Sequence, residues 1–169
     1  MATLVNLNLP RSIWTKRDSM RLAMNTLAAI KMRTAKGLDA HNIPFKGYSE
    51  KSIFVAYRGA RLKPKGGRKT KKGVFYKGGY KQYKHDSRGR SNKPGSTDSA
   101  EVDLVLSGNM MNSLVVHKAT ASYFIVGLNA HGMYGYAVNE TREFLGLSLT
   151  DVDVLVRSID IEIRKKLMP

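Results

Sequence analysis

The sequence predicts an α+β fold in which a small antiparallel sheet is packed by an N-terminal and a C-terminal amphipathic helix. Two observations predict it. Apolar residues recur at helical spacing near both ends of the chain, and three β-prone runs follow one another in its second half. A third observation is a long basic stretch between these parts. We therefore predict one domain over 1–169, with 60–99 as a projecting basic hairpin or loop insertion.

Composition limits the class of protein. The chain has 169 residues, of which 42% are hydrophobic, so it is long enough to bury a core. It contains no cysteine, which excludes a disulfide framework, a thiolate zinc site and a cysteine nucleophile. The first ten residues include two asparagines and precede their apolar run with no cation, so we expect no signal peptide. No run approaches about 20 apolar residues, so we expect a soluble protein that is made in the cytoplasm and has no membrane contact.

The first predicted helix follows Pro10 and ends near Gly37, where a left-handed C-cap is favoured. Ser12 is the predicted N-cap. The stretch 37–49 is rich in turn residues and predicts an ordered loop, whereas 49–58 fits either a short helix or a strand. The residues of the first helix that are expected to face the core are Trp14, Met20, Ala23, Met24, Leu27 and Ile30.

Nearly all of the excess positive charge lies in one segment. The formal net charge is +16, and 61–93 alone contains 13 lysines and arginines against a single acid. Within it, two β-prone runs flank a Gly-Gly pair over 74–83, a pattern typical of a hairpin. The flanking residues, 61–72 and 84–99, are predicted to be flexible arms, so that a basic hairpin projects on mobile stalks.

The second half of the chain predicts most of the sheet and the last helix. Its elements are, in order, a strand at 101–106, a helical turn at 110–113, strands at 114–119 and 123–128, a loop at 129–135 and a short helix at 136–143. The last helix begins with a capping box of Ser148 and Asp151. Its predicted core-facing stripe is Val152, Leu155, Val156, Ile159, Ile163 and Leu167.

No motif in the sequence predicts catalysis. The four histidines, His41, His85, His117 and His131, are not paired at helical spacing with another ligand, so no metal site is predicted. The chain has no Gly-x-Ser-x-Gly motif, and its Gly-Lys-rich stretch lacks the order of a phosphate-binding loop. We therefore expect a non-enzymatic protein with no cofactor.

The basic segment has three open interpretations. Its cations, interleaved with aromatic residues, suit contact with nucleic acid or another polyanion, but they also suit a neighbouring subunit or a solvated face. Sequence-specific recognition is not expected, because no recognition-helix or zinc-finger pattern is present. The candidate residues for DNA or subunit contact are Arg61, Lys63, Lys65, Arg68, Lys69, Lys71, Lys72, Lys77, Lys81, Lys84, Arg88 and Arg90.

Three stretches of the chain resemble the virion morphogenesis proteins of tailed phages, the neck or tail-completion family. Residues 37–49 are similar to the family's Gly-x-Asp-x-x-Gly-x-Pro-aromatic loop, with Asn42 in place of the second glycine. Residues 104–114 are similar to its Leu-x-x-Ser/Thr-Gly segment. Residues 136–151 are similar to its Tyr-Ala to Arg-x-Phe-Leu-Gly-Leu-Ser ending, followed by an acidic helix start. The resemblance covers the chain apart from the basic insertion.

The resemblance implies a structural role in a virion assembled in the host cytoplasm. Family members look like ring subunits, often hexameric, at the head–tail neck or at the tail terminus. The implied partners are further copies of the chain, neighbouring neck, connector or tail-tube proteins, and DNA in the channel. The family implies no catalytic residues and no cofactor. The alternative is a basic nucleic-acid-binding protein without catalysis.

Overall fold

A computed structural model describes residues 2–7, 9–10, 13–60, 62–88, 102, 104 and 109–168. Within them lie two three-stranded antiparallel sheets and five α-helices, so the predicted α+β class is confirmed. The elements are β1 Ala2–Asn6, α1 Lys16–Ala35, β2 Ile53–Ala56, β3 Arg68–Lys69, β4 Gly73–Tyr76, α2 Gly79–Arg88, α3 Asn109–Asn112, β5 Leu114–Ala119, β6 Tyr123–Leu128, α4 Tyr134–Thr141 and α5 Leu149–Leu167.

The first sheet has the order β1-β6-β5, with β6 in the centre. The predicted strands at 114–119 and 123–128 are confirmed, and Thr120 closes the turn between them by accepting from the backbone N–H groups of Ser122 and Tyr123. The pattern did not predict β1, which pairs with β6 from Ala2 to Asn6. The reason is its length: five residues ending in an asparagine give little periodicity.

Helix α1 begins later than we predicted. Its N-cap is Thr15, which forms a capping box with Asp18, whereas the predicted N-cap Ser12 lies outside the described residues. Trp14 precedes the helix and is buried, and its indole Nε1 donates to Ser19 Oγ over 2.8 Å. The predicted end is confirmed, because Gly37 has φ +78° immediately after the helix.

The buried face of α1 differs from the prediction. Met20 and Met24, which we expected in the core, are exposed, and so is Met32. The buried line includes small polar residues that a hydrophobic pattern does not select. Thr26 is one of them, and its hydroxyl donates to the carbonyl of Leu22 four residues earlier. A polar side chain whose hydroxyl is hydrogen-bonded, that of Thr26, therefore occupies part of the buried face of α1, the helix that packs against β5 and β6.

Helix α5 forms an outer layer, because it packs mainly against α1 rather than against the sheet. Its predicted capping box, Ser148 with Asp151, is confirmed. Its predicted core stripe is wrong in part. Leu155 is buried, but Val156 is 57% exposed and Val152 and Leu167 are also exposed. A helix that covers another helix buries only a narrow line of side chains, so much of the apolar stripe faces solvent.

A buried arginine joins α1 to the start of α5. The Arg33 guanidinium forms an ion pair with Asp151 and donates to the carbonyl oxygens of Phe144 and Gly146, each at 2.8 Å. Burial lowers the pKa of Arg33, but an arginine guanidinium stays protonated in proteins. Asn139 Oδ1 accepts from the N–H groups of the same turn, at Phe144 and the next residue. The 143–151 segment is thus fixed from both sides.

Several shorter predictions can now be compared with the structure. The helical turn near 110 is confirmed as α3, and the short helix after the loop is confirmed as α4. The undecided stretch 49–58 contains the strand β2. The strand predicted at 101–106 falls mostly outside the described residues. No helix in the described part of the chain is both long enough and apolar enough to span a membrane.

Replacing Asp18 with asparagine should reduce the acid sensitivity of folding. Burial raises the pKa of Asp18, but hydrogen bonds from Lys166 and Thr15 outweigh it and hold the pKa at about 2, below the ordinary 3.8. Because the folded-state pKa is depressed, this group stabilises the fold above about pH 4 and loses that contribution as the pH falls toward 2. We expect the variant to lose about 2 kcal/mol at pH 7 and to show a flatter pH profile in urea unfolding.

The matched control for this prediction is Asp160→Asn. Asp160 pairs with Arg164 on the exposed side of α5, so its loss should change stability by less than about 1 kcal/mol. If the stability of wild type and Asp18→Asn depends on pH in the same way, the Asp18 carboxylate is not the group whose lowered pKa stabilises the fold.

Candidate functional site

The basic segment folds around a second sheet. Its strand order is β2-β4-β3, and α2 packs on one face over a small core of Val74, Tyr76 and Tyr83. The sheet begins at Ile53, ahead of the predicted boundary at 60. We refer to residues 49–88 as the basic unit.

The predicted hairpin at 74–83 is wrong. β4 pairs with β2 and β3, and the chain after Gly79 is helical rather than extended. Gly79 adopts φ +68° and lies against the carbonyl oxygens of Ser49 and Lys51, so the glycine pair turns the chain into a helix. In that helix, residues 80, 83, 84 and 87 fall on the side that faces the sheet.

Hydrogen bonds fix the stretch that we predicted to be a flexible arm. The Tyr76 hydroxyl donates to the carbonyl of Lys65 over 2.7 Å, and the Tyr83 hydroxyl donates to the carbonyl of Leu62 over 3.1 Å. Burial raises the pKa of Tyr76, which keeps its hydroxyl protonated as a donor. The backbone between β2 and β3 is therefore held onto the small core. The predicted second arm, 84–99, begins inside α2, so its described part is helical rather than flexible, and the rest lies outside the described residues.

A buried lysine connects the basic unit to the main core. Lys84 is 1% exposed, and its Nζ donates to the Tyr48 hydroxyl over 2.9 Å while lying 4.3 Å from the centre of that ring. The Tyr48 ring also makes an edge contact with Tyr80, with 5.2 Å between the ring centres. Tyr48 itself packs against the main core. Lys84 was a candidate for DNA contact, but the structure places it inside the protein, where it joins the two parts of the fold.

Most of the other candidate cations lie on the surface. Lys81 is half-buried and pairs with Glu50 over 2.7 Å, and hydrogen bonding from Lys81 lowers the pKa of Glu50. The exposed candidates are Lys63, Lys65, Arg68, Lys69, Lys71, Lys72 and Lys77. None of these seven is within ion-pair distance of a carboxylate in the part of the chain that the structure describes. Arg61, Arg90 and the side chain of Arg88 lie outside it.

Two lysines form the tip of the β3–β4 hairpin. The Thr70 N–H donates to the carbonyl of Gly73 over 2.8 Å, which leaves Lys71 and Lys72 as a two-residue turn. The Thr70 hydroxyl also accepts from the N–H groups of Lys72 and Gly73. The turn is therefore closed by a side chain as well as by the strands, and it presents two adjacent cations at a fixed position.

The outer face of the second sheet carries aromatic residues. Phe54 on β2 lies directly opposite Phe75 on β4, and Phe75 lies opposite Arg68 on β3. The two rings are 52% and 38% exposed, on the side of the sheet away from α2. We had not identified Phe54. The available signal was the β-prone run of Ile53, Phe54 and Val55, but three consecutive apolar residues do not show which side chain lies on the outer face.

A second candidate surface lies on the helices. α5 exposes Leu149, Val152, Val156 and Leu167 at spacings of three, four and eleven residues, which places them along one side of the helix. Ile159 and Ile163 lie between them and are half-buried. We call these six residues the α5 stripe. On α1, Met20, Met24 and Met32 are exposed at four-residue multiples and form a second apolar line.

The histidines do not assemble a metal site in the described residues. No group of three or more histidine, aspartate or glutamate side chains there could hold a metal ion. His41 lies 3.3 Å from Glu143 and His85 lies 3.0 Å from Asp86, both as exposed pairs. The absence of catalysis stays a prediction.

Comparisons of the chain with protein-family models, with curated proteins and with solved structures found no match.

Proposed function

We propose that the protein is a structural virion component of a tailed phage. It acts without catalysis as a ring subunit at the head–tail neck or at the tail terminus, where it joins or completes the tail. The basic unit contacts DNA in the channel or a neighbouring subunit. The observation that carries this proposal is the exposed α5 stripe, because an assembly subunit needs apolar surface that its own fold leaves uncovered.

The stripe has the extent of an interface. It runs from Leu149 to Leu167, which is about 27 Å along a helix. Leu149 is 85% exposed and Val156 is 57% exposed, so water covers side chains that gain free energy from burial. Contiguous exposed apolar surface of this kind marks protein–protein contacts in soluble proteins.

Two different apolar surfaces favour a closed ring over a simple pair. A ring needs a heterologous contact, in which one patch of each subunit meets another patch of the next. The α5 stripe and the methionine line on α1 are two such patches on different helices. Methionine side chains are flexible and adapt to a partner surface, which suits the receiving side of the contact.

Two of the three segments that resemble the phage family, 37–49 and 136–151, meet in the fold. The loop after α1 hydrogen-bonds to the 143–151 segment, with the N–H of Ala40 donating to the carbonyl of Glu143 over 2.7 Å. Arg33 binds the same segment from α1. The resemblance therefore rests on residues that fix the position of α5, the helix that carries the proposed interface.

The alternative function is that of a nucleic-acid-binding protein that acts without a ring. The aromatic and basic outer face of the second sheet favours it, since both features suit a polyanion with exposed bases. The two functions differ in their dependence on self-assembly, which one substitution in the stripe can test.

Val156→Asp should abolish self-assembly and leave the fold intact. A carboxylate in the centre of the stripe would have to be desolvated at an apolar interface, which is costly, whereas it is solvated in the free subunit. We expect wild-type protein to give closed rings by negative-stain imaging and a multiple of the subunit mass by light scattering. The variant should stay monomeric, with a melting temperature within a few degrees of the wild type.

The matched control is Val154→Asp. Val154 is 50% exposed but points away from the stripe, so the same substitution there should leave assembly unchanged. In a second assay, wild type or variant is added to phage particles that lack the protein, and restoration of the particles is measured. This assay is needed because assembly can require the surface of the neighbouring neck protein. Equal assembly and equal restoration by Val156→Asp and wild type would rule out the stripe as the interface.

A further inference from the structure

We infer that the outer face of the second sheet is a binding site for single-stranded nucleic acid, with Phe54 and Phe75 as base-stacking residues and the surrounding cations as phosphate contacts. The inference goes beyond the proposed function, because a strand with exposed bases is a different ligand from the channel DNA of that proposal. It does not depend on ring closure.

The first support is the row of side chains across the three strands. Phe54, Phe75 and Arg68 occupy directly opposite positions on β2, β4 and β3, and neighbouring strands lie about 4.8 Å apart. The Phe54 ring reaches over Gly73, since its Cζ lies 2.7 Å from the point where a Cβ would be. The absence of a side chain at Gly73 therefore leaves space for the Phe54 ring on this face of the sheet.

The second support is the contrast between the two faces of this sheet. On the face toward α2, Tyr76 of β4 packs against Tyr83 of α2; both residues are buried, and their ring centres lie 5.4 Å apart. The opposite face leaves two phenylalanines in water, although they have no polar group that gains from exposure. With the described part of the chain in place, Phe54 is still 52% exposed and Phe75 is still 38% exposed. Folding accounts for the first set of rings but not for the second.

The third support is the charge around the rings. Arg68 lies in the same row, Lys71 and Lys72 form the hairpin tip at one end of β4, and Lys77 follows its other end. These cations have no carboxylate partner among the described residues. They would neutralise phosphates on both sides of a base that stacks on the phenylalanines.

The combination favours a single strand over a duplex. A duplex keeps the faces of its bases stacked inside, so it can use the cations but not the rings. A single strand offers both a charged backbone and exposed base faces, and stacking on aromatic side chains does not depend on base identity. An acidic protein partner would use the charges and pack its own apolar side chains against the phenylalanines, and the test below distinguishes it as the outcome in which neither nucleic acid binds.

The test compares binding of an oligothymidylate of about 20 nucleotides with binding of a duplex of the same length, by fluorescence anisotropy. The full chain is used at about 0.15 M salt. Phe54→Leu with Phe75→Leu keeps an apolar surface but removes the π-faces. We expect wild type to bind the single strand more tightly than the duplex. The double variant should lose about tenfold or more in single-strand affinity and keep its duplex affinity.

A charge variant provides the second arm. Lys71→Gln with Lys72→Gln should weaken binding to both ligands and lower the slope of log affinity against log salt by about 1.4 for the single strand. The control, Lys16→Gln with Lys36→Gln, removes the same charge from exposed sites at the two ends of α1, outside the basic unit, and should change neither affinity by more than about twofold.

Two results would overturn the inference. One is equal affinity for both ligands with no effect of the phenylalanine substitutions, which would reduce the site to phosphate contact. The other is no binding of either ligand, which would assign the face to a protein partner. Ring formation is measured on the same samples by light scattering. Rings without single-strand binding would overturn this inference alone, and binding without rings would overturn the ring role alone.

Discussion

Replacing Arg33 with alanine is expected to lower the free energy of unfolding by about 3–5 kcal/mol. The substitution leaves the buried carboxylate of Asp151 without its counter-charge, and it removes the donors of two carbonyl oxygens in the turn before α5. An uncompensated buried charge costs more than the pair itself contributes. The measurement is urea unfolding followed by the fluorescence of Trp14, the single tryptophan, which lies in the main core.

Two further variants serve as controls for the Arg33→Ala prediction. Arg164→Ala removes an arginine from an exposed ion pair and should change stability by less than about 1 kcal/mol. Asp151→Asn, added to Arg33→Ala, should recover part of the loss, because it removes the unpaired charge and keeps an oxygen that can accept from Ser148. A loss below about 1 kcal/mol in Arg33→Ala would mean that the buried pair does not form.

Gly79→Ala is expected to destabilise the basic unit by more than about 3 kcal/mol while leaving the main core folded. The residue has φ +68°, and a Cβ there would lie 2.5 Å from the carbonyl oxygens of Ser49 and Lys51. Because both oxygens belong to the backbone, no side-chain rotation can relieve the overlap. We expect hydrogen exchange in β4 to accelerate strongly, whereas the unfolding transition seen by Trp14 fluorescence should move little.

Gly59→Ala separates the two causes of that loss. Gly59 has φ +83°, but no atom lies within 4 Å of the position that a Cβ would take. The control therefore carries the conformational strain alone, about 1–2 kcal/mol. Equal effects of the two substitutions would show that the clash at Gly79 is relieved by a shift of the 49–51 backbone.

The parts of the fold that the sequence predicted well are those fixed by local chemistry. The capping box of Ser148 and Asp151 involves residues three positions apart, so its pattern is complete in the sequence. The left-handed cap at Gly37 is of the same kind. Such features depend little on the rest of the chain.

The errors arose where distant residues decide between two local options. A Gly-Gly pair fits a hairpin turn and also fits the entry to a helix, and at Gly79 the packing against Ser49 selects the helix. Likewise, an apolar stripe has the same spacing whether it faces its own core or a partner. Met24 and Val156 were assigned to the core for that reason, although both are exposed.

The sequence predicted the positive charge of the candidate site but not the positions of its side chains in the fold. The sequence identified the concentration of lysines and arginines in 61–93. It could not show that Lys84 lies in the interior, because a buried lysine depends on Tyr48, far away in the sequence. It also could not show that Phe54 and Phe75 share one face, since that follows from the strand register.

Because the core of the basic unit is small, the stability of this unit should depend on the anions bound around it. Only three apolar side chains, Val74, Tyr76 and Tyr83, are fully buried in this cluster, while residues 49–88 contain 13 cations and two acids. Mutual repulsion of those cations opposes folding, and a bound polyanion removes it. A ligand at a hundred times its Kd adds about 2.7 kcal/mol to the stability of the state that it binds. A bound anion would thus raise the free energy of unfolding of the basic unit, which its few buried side chains stabilise only weakly.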